Sequence, residues 1–209
     1  MSNSNEQERS AKARRRYRQR KRAELQEETR RRIVEAAVEL HCSIGPARTT
    51  VSQIAERAGV QRNTYYAHFP QERDLFLACS GLALERDPLP DPAAWEERPA
   101  GRERIEAGLA AIYGWYERNR GQAEAVTRDM AVHELTREMM ELRFVPVFER
   151  AAAILGEGLS DPAKGLLAVA FDYSTYRTLS QWHSPEAAAA LMTEAIASLR
   201  NAAVRRTPA

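Results

Sequence analysis

The chain of 209 residues has little of what staples or metallates a small fold. Its two cysteines, Cys42 and Cys79, form no Cys-x-x-Cys pair, and its four histidines, His41, His68, His133 and His183, are scattered. Both thiols therefore read as reduced core residues, and neither a metal site nor a cofactor is expected. No apolar run approaches the ~20 residues of a membrane-crossing helix. The N-terminus has no apolar segment of the secretory kind, so the expectation is a cytoplasmic protein with no membrane partner. There is no Gly-rich phosphate loop and no Gly-x-Ser-x-Gly. The neighbouring carboxylates Glu96 and Glu97 read as a solvated face, so the chain is not expected to be an enzyme. No stretch alternates apolar and polar residues as strands do, which leaves an all-α fold.

What the chain does have is charge, unevenly spread. Residues 1–80 hold 16 Lys and Arg against 10 Asp and Glu, and the remainder holds 15 against 19. A basic first part and an acidic remainder suit a protein whose N-terminal end meets a polyanion. A charged tail with no partner fits the same composition. Eight of the basic residues fall between Lys12 and Arg22. With so few apolar residues, positions 1–22 are expected to form a basic arm that is flexible or frays into helix when free.

From Glu24 the pattern becomes helical, with Ile33, Ala36, Ala37 and Leu40 on one face until Gly45-Pro46 stops it. Thr49-Thr50 offers N-cap hydroxyls to a second helix that carries Val51, Ile54, Ala55 and Ala58 and ends at Gly59. A third helix starts near Gln61-Arg62 and is ended by Pro70. A fourth, opening at 71–74, carries Leu75, Phe76, Cys79 and Leu82. Pro88, Pro90 and Pro92 forbid helix and mark a break. The expected organisation is an arm at 1–22, a DNA-binding domain at 23–86, a linker at 87–95 and a helical domain at 96–204. In the last, helices are expected over 101–119, 121–135, 136–156 with a kink or break at Pro146, 162–182, and from the start signal Ser184-Pro185-Glu186 onward.

Two short helices joined by a Gly-containing turn form a helix-turn-helix, whose second helix enters the major groove. Residues 62–68 suit that role: Arg62, Asn63, Thr64, Tyr66 and Ala67 can face outward while Val60, Tyr65 and Phe69 face the core. The stretch Thr49-Thr50-Val51-Ser52-Gln53-Ile54-Ala55-Glu56-Arg57-Ala58-Gly59-Val60, followed by Thr64-Tyr65-Tyr66-Ala67-His68-Phe69, resembles the N-terminal domain of TetR-family transcriptional regulators over roughly residues 30–80. The resemblance implies a sequence-specific regulator of transcription, most commonly a repressor. It implies that Thr50 caps the second helix and touches a phosphate, and that Arg62 and Asn63 reach base edges, where Arg suits guanine and Asn adenine. Thr64 would touch a thymine methyl or a phosphate, and Tyr66 and His68 would clamp phosphates. Three positions depart from the family: His41 stands for the usual Phe, Asn63 for the common Gly, and Glu72 for a common Lys near DNA. At Glu72, either Arg73 substitutes or the fourth helix sits farther from the backbone. The arm, with Arg14, Arg15, Arg16 and Arg18, is expected to strengthen binding by following the minor groove.

The remainder resembles the family only in being helical, in its lengths and in its last two helices. The family then implies a homodimer through those helices and an interior small-molecule site. Dimer candidates are Phe171, Tyr173, Tyr176, Leu179, Leu191, Met192, Ile196 and Leu199. Tyr113, Trp115, Tyr116, Met130, His133, Met139, Phe144 and Phe148 are the candidates for lining a cavity for an apolar or aromatic effector. The alternative for these residues is simple core, the commoner place for a Met and aromatic stripe, and for His133 a surface position. The expected partners are thus double-stranded DNA, a second copy and a small effector. The alternative is a DNA-binding dimer with a solid core, controlled by abundance or a protein partner.

Overall fold

The computed structural model describes residues 2–204; Met1, the first residue of the expected arm, lies outside the described residues. Among the described residues there are twelve α-helices and no strand. They are α1 (Ser2–Ser43), α2 (Val51–Arg57), α3 (Arg62–His68), α4 (Glu72–Arg86), α5 (Ala93–Glu96), α6 (Arg102–Arg118), α7 (Arg120–Asp129), α8 (Glu134–Arg143), α9 (Val145–Leu155), α10 (Asp161–Phe171), α11 (Tyr173–Leu179) and α12 (Pro185–Val204). A single 3-10 turn, Pro46–Arg48, joins α1 to α2.

Two separate apolar cores organise these helices. The first is small. Ile33, Val34, Ala36 and Ala37 of α1 pack on Ile54 and Ala55 of α2, Tyr65 of α3, Phe69, and Leu75 and Cys79 of α4. The second core joins Ile105, Leu109, Ile112, Tyr113 and Tyr116 of α6 to Leu155, Leu167, Tyr176 and Ile196 of the later helices. Gly108 makes this possible at one point, because a Cβ there would run into the Leu155 side chain of α9. The α6 backbone and Leu155 can thus approach closely.

The breaks follow local chemistry. The expected helix over 121–135 ends at Asp129, and α8 restarts after His133, whose ring nitrogen accepts from the Thr136 amide at 3.3 Å. Pro146 sits in the first turn of α9, where its missing N–H costs nothing, so 136–156 becomes two helices. The apolar run 162–182 is divided at Asp172, whose carboxylate accepts from the Ser174 amide at 2.6 Å and starts α11. Ser184 accepts from Ala187 and opens the last helix, as its sequence indicates. The proline linker is less open than expected: α5 forms inside it and buries Trp95.

Of the two expected forms, the basic arm takes the helical one. It continues α1 as helix instead of standing apart as flexible chain. Arg, Lys, Gln, Glu and Ala are all good helix formers, no Gly or Pro interrupts them, and Arg20 pairs with Glu24 one turn on. Arg14 through Glu28 are exposed, so this half of α1 packs on neither core.

Candidate functional site

The reading unit is built by α2 and α3. Thr50 caps α2: its hydroxyl accepts from the Gln53 amide at 3.3 Å, and the Gln53 side chain accepts from the Thr50 amide at 2.8 Å. This reciprocal pair satisfies two otherwise orphaned donors. Gly59, at φ 66°, turns the chain after α2, and the Val60 amide reaches back to the Ala55 carbonyl at 2.9 Å. The Arg32 guanidinium donates to the Ala58 carbonyl at the same end, tying α1 to the turn.

On α3, Tyr65 is buried and pins the helix to the core, with Phe69 just beyond it. Arg62, Asn63, Tyr66 and Ala67 are exposed, a spacing that sets them on one face. Thr64 and His68, four residues apart, flank that face half-buried. Tyr66 is 43% exposed although its ring meets Tyr65 edge-on at 5.3 Å, so a large aromatic with a donor tip is held outward. The face carries donors, an amide able to donate and accept, and no carboxylate, the complement of phosphates and base edges. Thr50 lies exposed at the neighbouring helix start. Glu72 is exposed as the first residue of α4. Arg73 does not stand in for a lysine there, because it points to α8 and pairs with Glu138 at 2.6 Å.

The helical domain is not solid. A cavity of about 300 Å³ lies between α6, α7, α9 and α10. Trp115, Tyr116, Met130, Phe144 and Phe148 line it, as does Phe171. Tyr113 does not: it is fully buried against α10 and α11, and its hydroxyl donates to the Ala170 carbonyl. His133 does not either, since it caps α8 and stacks on Phe76 of α4 at 5.3 Å. Met139 faces a second, smaller cavity of about 60 Å³ against α1 and α4. Gln122, Val126, Met140 and Phe144 line both spaces, so they form the wall between them.

The expected dimer residues divide. Tyr176, Met192 and Ile196 are buried within the protomer, and Tyr173 joins the cavity wall. Burial raises the Tyr176 hydroxyl pKa, and the Glu117 carboxylate that accepts a hydrogen bond from it raises it further. Phe171, Leu179 and Leu199 are half-buried against the second core. Leu191 is exposed, as are the apolar side chains of Val169 on α10 and Trp182 between α11 and α12, which the dimer expectation did not include.

Sequence reading missed how α7 grips the turn before the helix-turn-helix. Asp129 is 2% exposed, and its Oδ2 accepts from the Ala47 amide at 2.9 Å. Burial pushes its carboxyl pKa up, but hydrogen bonds from Arg128 and Ala47, with the charges of Arg128 and Arg48, outweigh this and hold it below the usual range. Arg128 also donates to the Ile44 carbonyl at 2.9 Å. Asp87, at the end of α4, is held similarly: the Arg118 guanidinium grips its carboxylate through two nitrogens and Trp115 Nε1 donates to its carbonyl. The sequence signal was a buried-type acid beside an arginine at the end of an amphipathic helix, visible only once the partner turn is known.

Comparison with known proteins agrees with this geometry. Residues 33–79 match the family described as bacterial regulatory proteins, tetR family. The transcriptional regulator TcmR of Streptomyces glaucescens is 34% identical over 67% of this chain and 57% of its own length. SrpR of Pseudomonas putida is 40% identical over 34% of this chain and 36% of its own. The chain thus spans about a third to just over half of these relatives. In fold, it is similar to a TetR-family regulator from Rhodococcus sp., with a TM-score of 0.57 at 18% identity over 83% of this chain and 99% of the other. A Streptomyces coelicolor member gives the same TM-score at 17% identity over 83% and 80%. Residues 33–79 thus match the TetR-family domain, and the whole-chain fold is similar to that of TetR-family regulators.

Proposed function

We propose that the protein is a sequence-specific, DNA-binding regulator of transcription. The observation that carries this reading is the α3 face: Arg62, Asn63 and Tyr66 held outward by a capped α2, a Gly59 turn and a buried Tyr65. Arg62 and Asn63 read base edges, while Thr50, Thr64, Tyr66 and His68 fix register on phosphates. Arg14, Arg15, Arg16 and Arg18 of the helical arm add contacts that are independent of sequence. Arg73 is left out of this set, because Glu138 neutralises it.

One α3 reads too few base pairs for a unique site, so two copies related by a two-fold axis read a palindrome. Leu191, Val169 and Trp182 supply the apolar surface for that pairing. The regulator acts in the cytoplasm as a repressor that a small molecule releases. The 300 Å³ cavity supports this over a dimer with a solid core. Gln122, Val126 and Thr127 of α7 line it, with Met130 just beyond, and Arg128 and Asp129 at the C-terminal end of the same helix hold the 44–47 turn. Ligand that favours one position of α7 thereby favours one spacing of the two α3 helices.

Sedimentation of the full chain with a labelled duplex carrying its selected site tests the reading. Two chains per duplex are expected, with loss of the complex in Arg62→Ala. One chain per duplex, or an unaffected variant, contradicts it.

A further inference from the structure

The cavity's chemistry narrows what it can hold, and this step rests on the effector role proposed above. Six aromatic rings surround it: Trp115, Tyr116, Phe144, Phe148, Phe171 and Tyr173. They stand at varied angles. Tyr116 and Phe148 are near-parallel at 6.5 Å, Trp115 and Phe144 meet edge-on at 5.8 Å, and Phe148 and Phe171 are tilted at 5.9 Å. Each ring face carries a negative quadrupole, which favours a cation over an anion beside it.

The polar part of the lining is small and of one sign. Beyond Tyr116, Tyr173 and Trp115, whose polar atoms donate to the Phe171, Arg120 and Asp87 carbonyls, it consists of Gln122, Thr127 and Asp172, with no Lys, Arg or His among the lining residues. Asp172 uses Oδ1 to accept from the Ser174 amide, which leaves the lone pairs of its other oxygen for a ligand. The carboxylate is exposed at the edge of the cavity, and no salt bridge involves it among the described residues. The nearby guanidiniums have their own acids: Arg120 pairs with Glu117 at 2.5 Å and Arg177 with Glu124 at 3.7 Å. Asp172 is also the leading charge that adds to burial in raising the Tyr116 hydroxyl pKa, so its field reaches inside the cavity.

We propose that this cavity binds an organic cation with a flat aromatic body, its rings stacked among the six aromatic side chains and its positive charge towards Asp172. A volume of about 300 Å³ suits a compact fused-ring molecule. An anion of the same shape would meet the quadrupole faces and the carboxylate with the wrong sign.

The test is isothermal titration calorimetry of the full chain with three near-isosteric probes: N-methylacridinium, neutral N-methylacridone and anthracenecarboxylate. The cation should bind about tenfold tighter than the neutral probe, and the anion weakest. Asp172→Asn should remove about tenfold of cation affinity and leave the neutral probe unchanged. Asn is also a good N-cap, so α11 should survive the change, which circular dichroism would check. A second variant, Phe148→Leu, should weaken the cation more than the neutral probe. The proposal is overturned if no probe binds, if the neutral or anionic probe matches the cation, or if Asp172→Asn keeps the preference. Operator occupancy is measured separately. Cation binding without loss of operator would contradict ligand-controlled release and leave the ligand class standing.

Discussion

The buried Asp129 carboxylate accepts from the Ala47 amide at 2.9 Å, joining the end of a helix that lines the cavity to the turn that leads into the helix-turn-helix. The turn is shaped for that contact. Gly45 has φ 97°, and a Cβ there would collide with the Arg128 and Asp129 side chains. Asp129→Ala should therefore destabilise the chain by about 1–3 kcal/mol, because it leaves a donor without its partner. Urea denaturation would measure this. The variant should also hold DNA in the presence of an effector that releases the parent chain, since the link from cavity to turn is cut.

His41 gives a pH signature. Burial, then the charge of His133, lowers its pKa to about 4, while Asp129 pulls the other way. It sits against Phe76 at 4.9 Å and within 3.5 Å of the Cys79 sulfur. The unfolded chain takes up a proton at this residue near pH 6.5 and the folded chain does not, so stability falls as pH drops from about 6.5 to about 4. The loss from this group amounts to about 3 kcal/mol at most. His41→Phe, which restores the family's usual ring, should flatten the slope in that window. Denaturant midpoints at pH 5 and pH 7 would show an unchanged slope if His41 were already charged in the fold.

Base readers and clamps should separate by specificity. Arg62→Ala or Asn63→Ala should cost about 1–3 kcal/mol on the selected site and relax the preference at one position of each half-site. Tyr66→Phe should weaken matched and mismatched duplexes alike, because a phosphate contact carries no sequence information. Fluorescence anisotropy on a panel of single-base variants distinguishes the two patterns.

Arm contacts are best read through salt. Each phosphate neutralised by Arg14, Arg15, Arg16 or Arg18 should steepen the log–log salt dependence by roughly 0.9. Removing residues 1–22 should flatten that dependence accordingly. An unchanged slope would make the arm a solubilising tail.

Much of this was legible in the sequence where one local rule decided the outcome. The Thr50 cap, the Gly59 turn, the start of α12 and the outward set on α3 each rest on a residue whose chemistry acts within four positions along the chain. The rest depended on partners far away in sequence. Nothing local marks Tyr113 as core and Trp115 as cavity wall; the difference is the Ala170 carbonyl within reach of one and Asp87 within reach of the other. His133 looked like a polar effector contact, but capping α8 and stacking on Phe76 use both its nitrogen and its face. Met192 and Ile196 share α12 with Leu191, and periodicity does not say whether an apolar face meets its own protomer or another. Arg73 was expected to offset Glu72 at the DNA edge. Its placement beside Glu138 follows from the packing of α8 on α4, which no spacing in the sequence reveals.

The central claim is that this protein reads a two-fold symmetric site through α3. Selection of bound duplexes from a random pool, with the full chain, tests it most directly. The account predicts an inverted repeat whose half-sites are centred ~34 Å apart or a multiple of it, with enrichment lost in Arg62→Ala. Recovery of a single unrepeated motif, or of no motif at all, would contradict it.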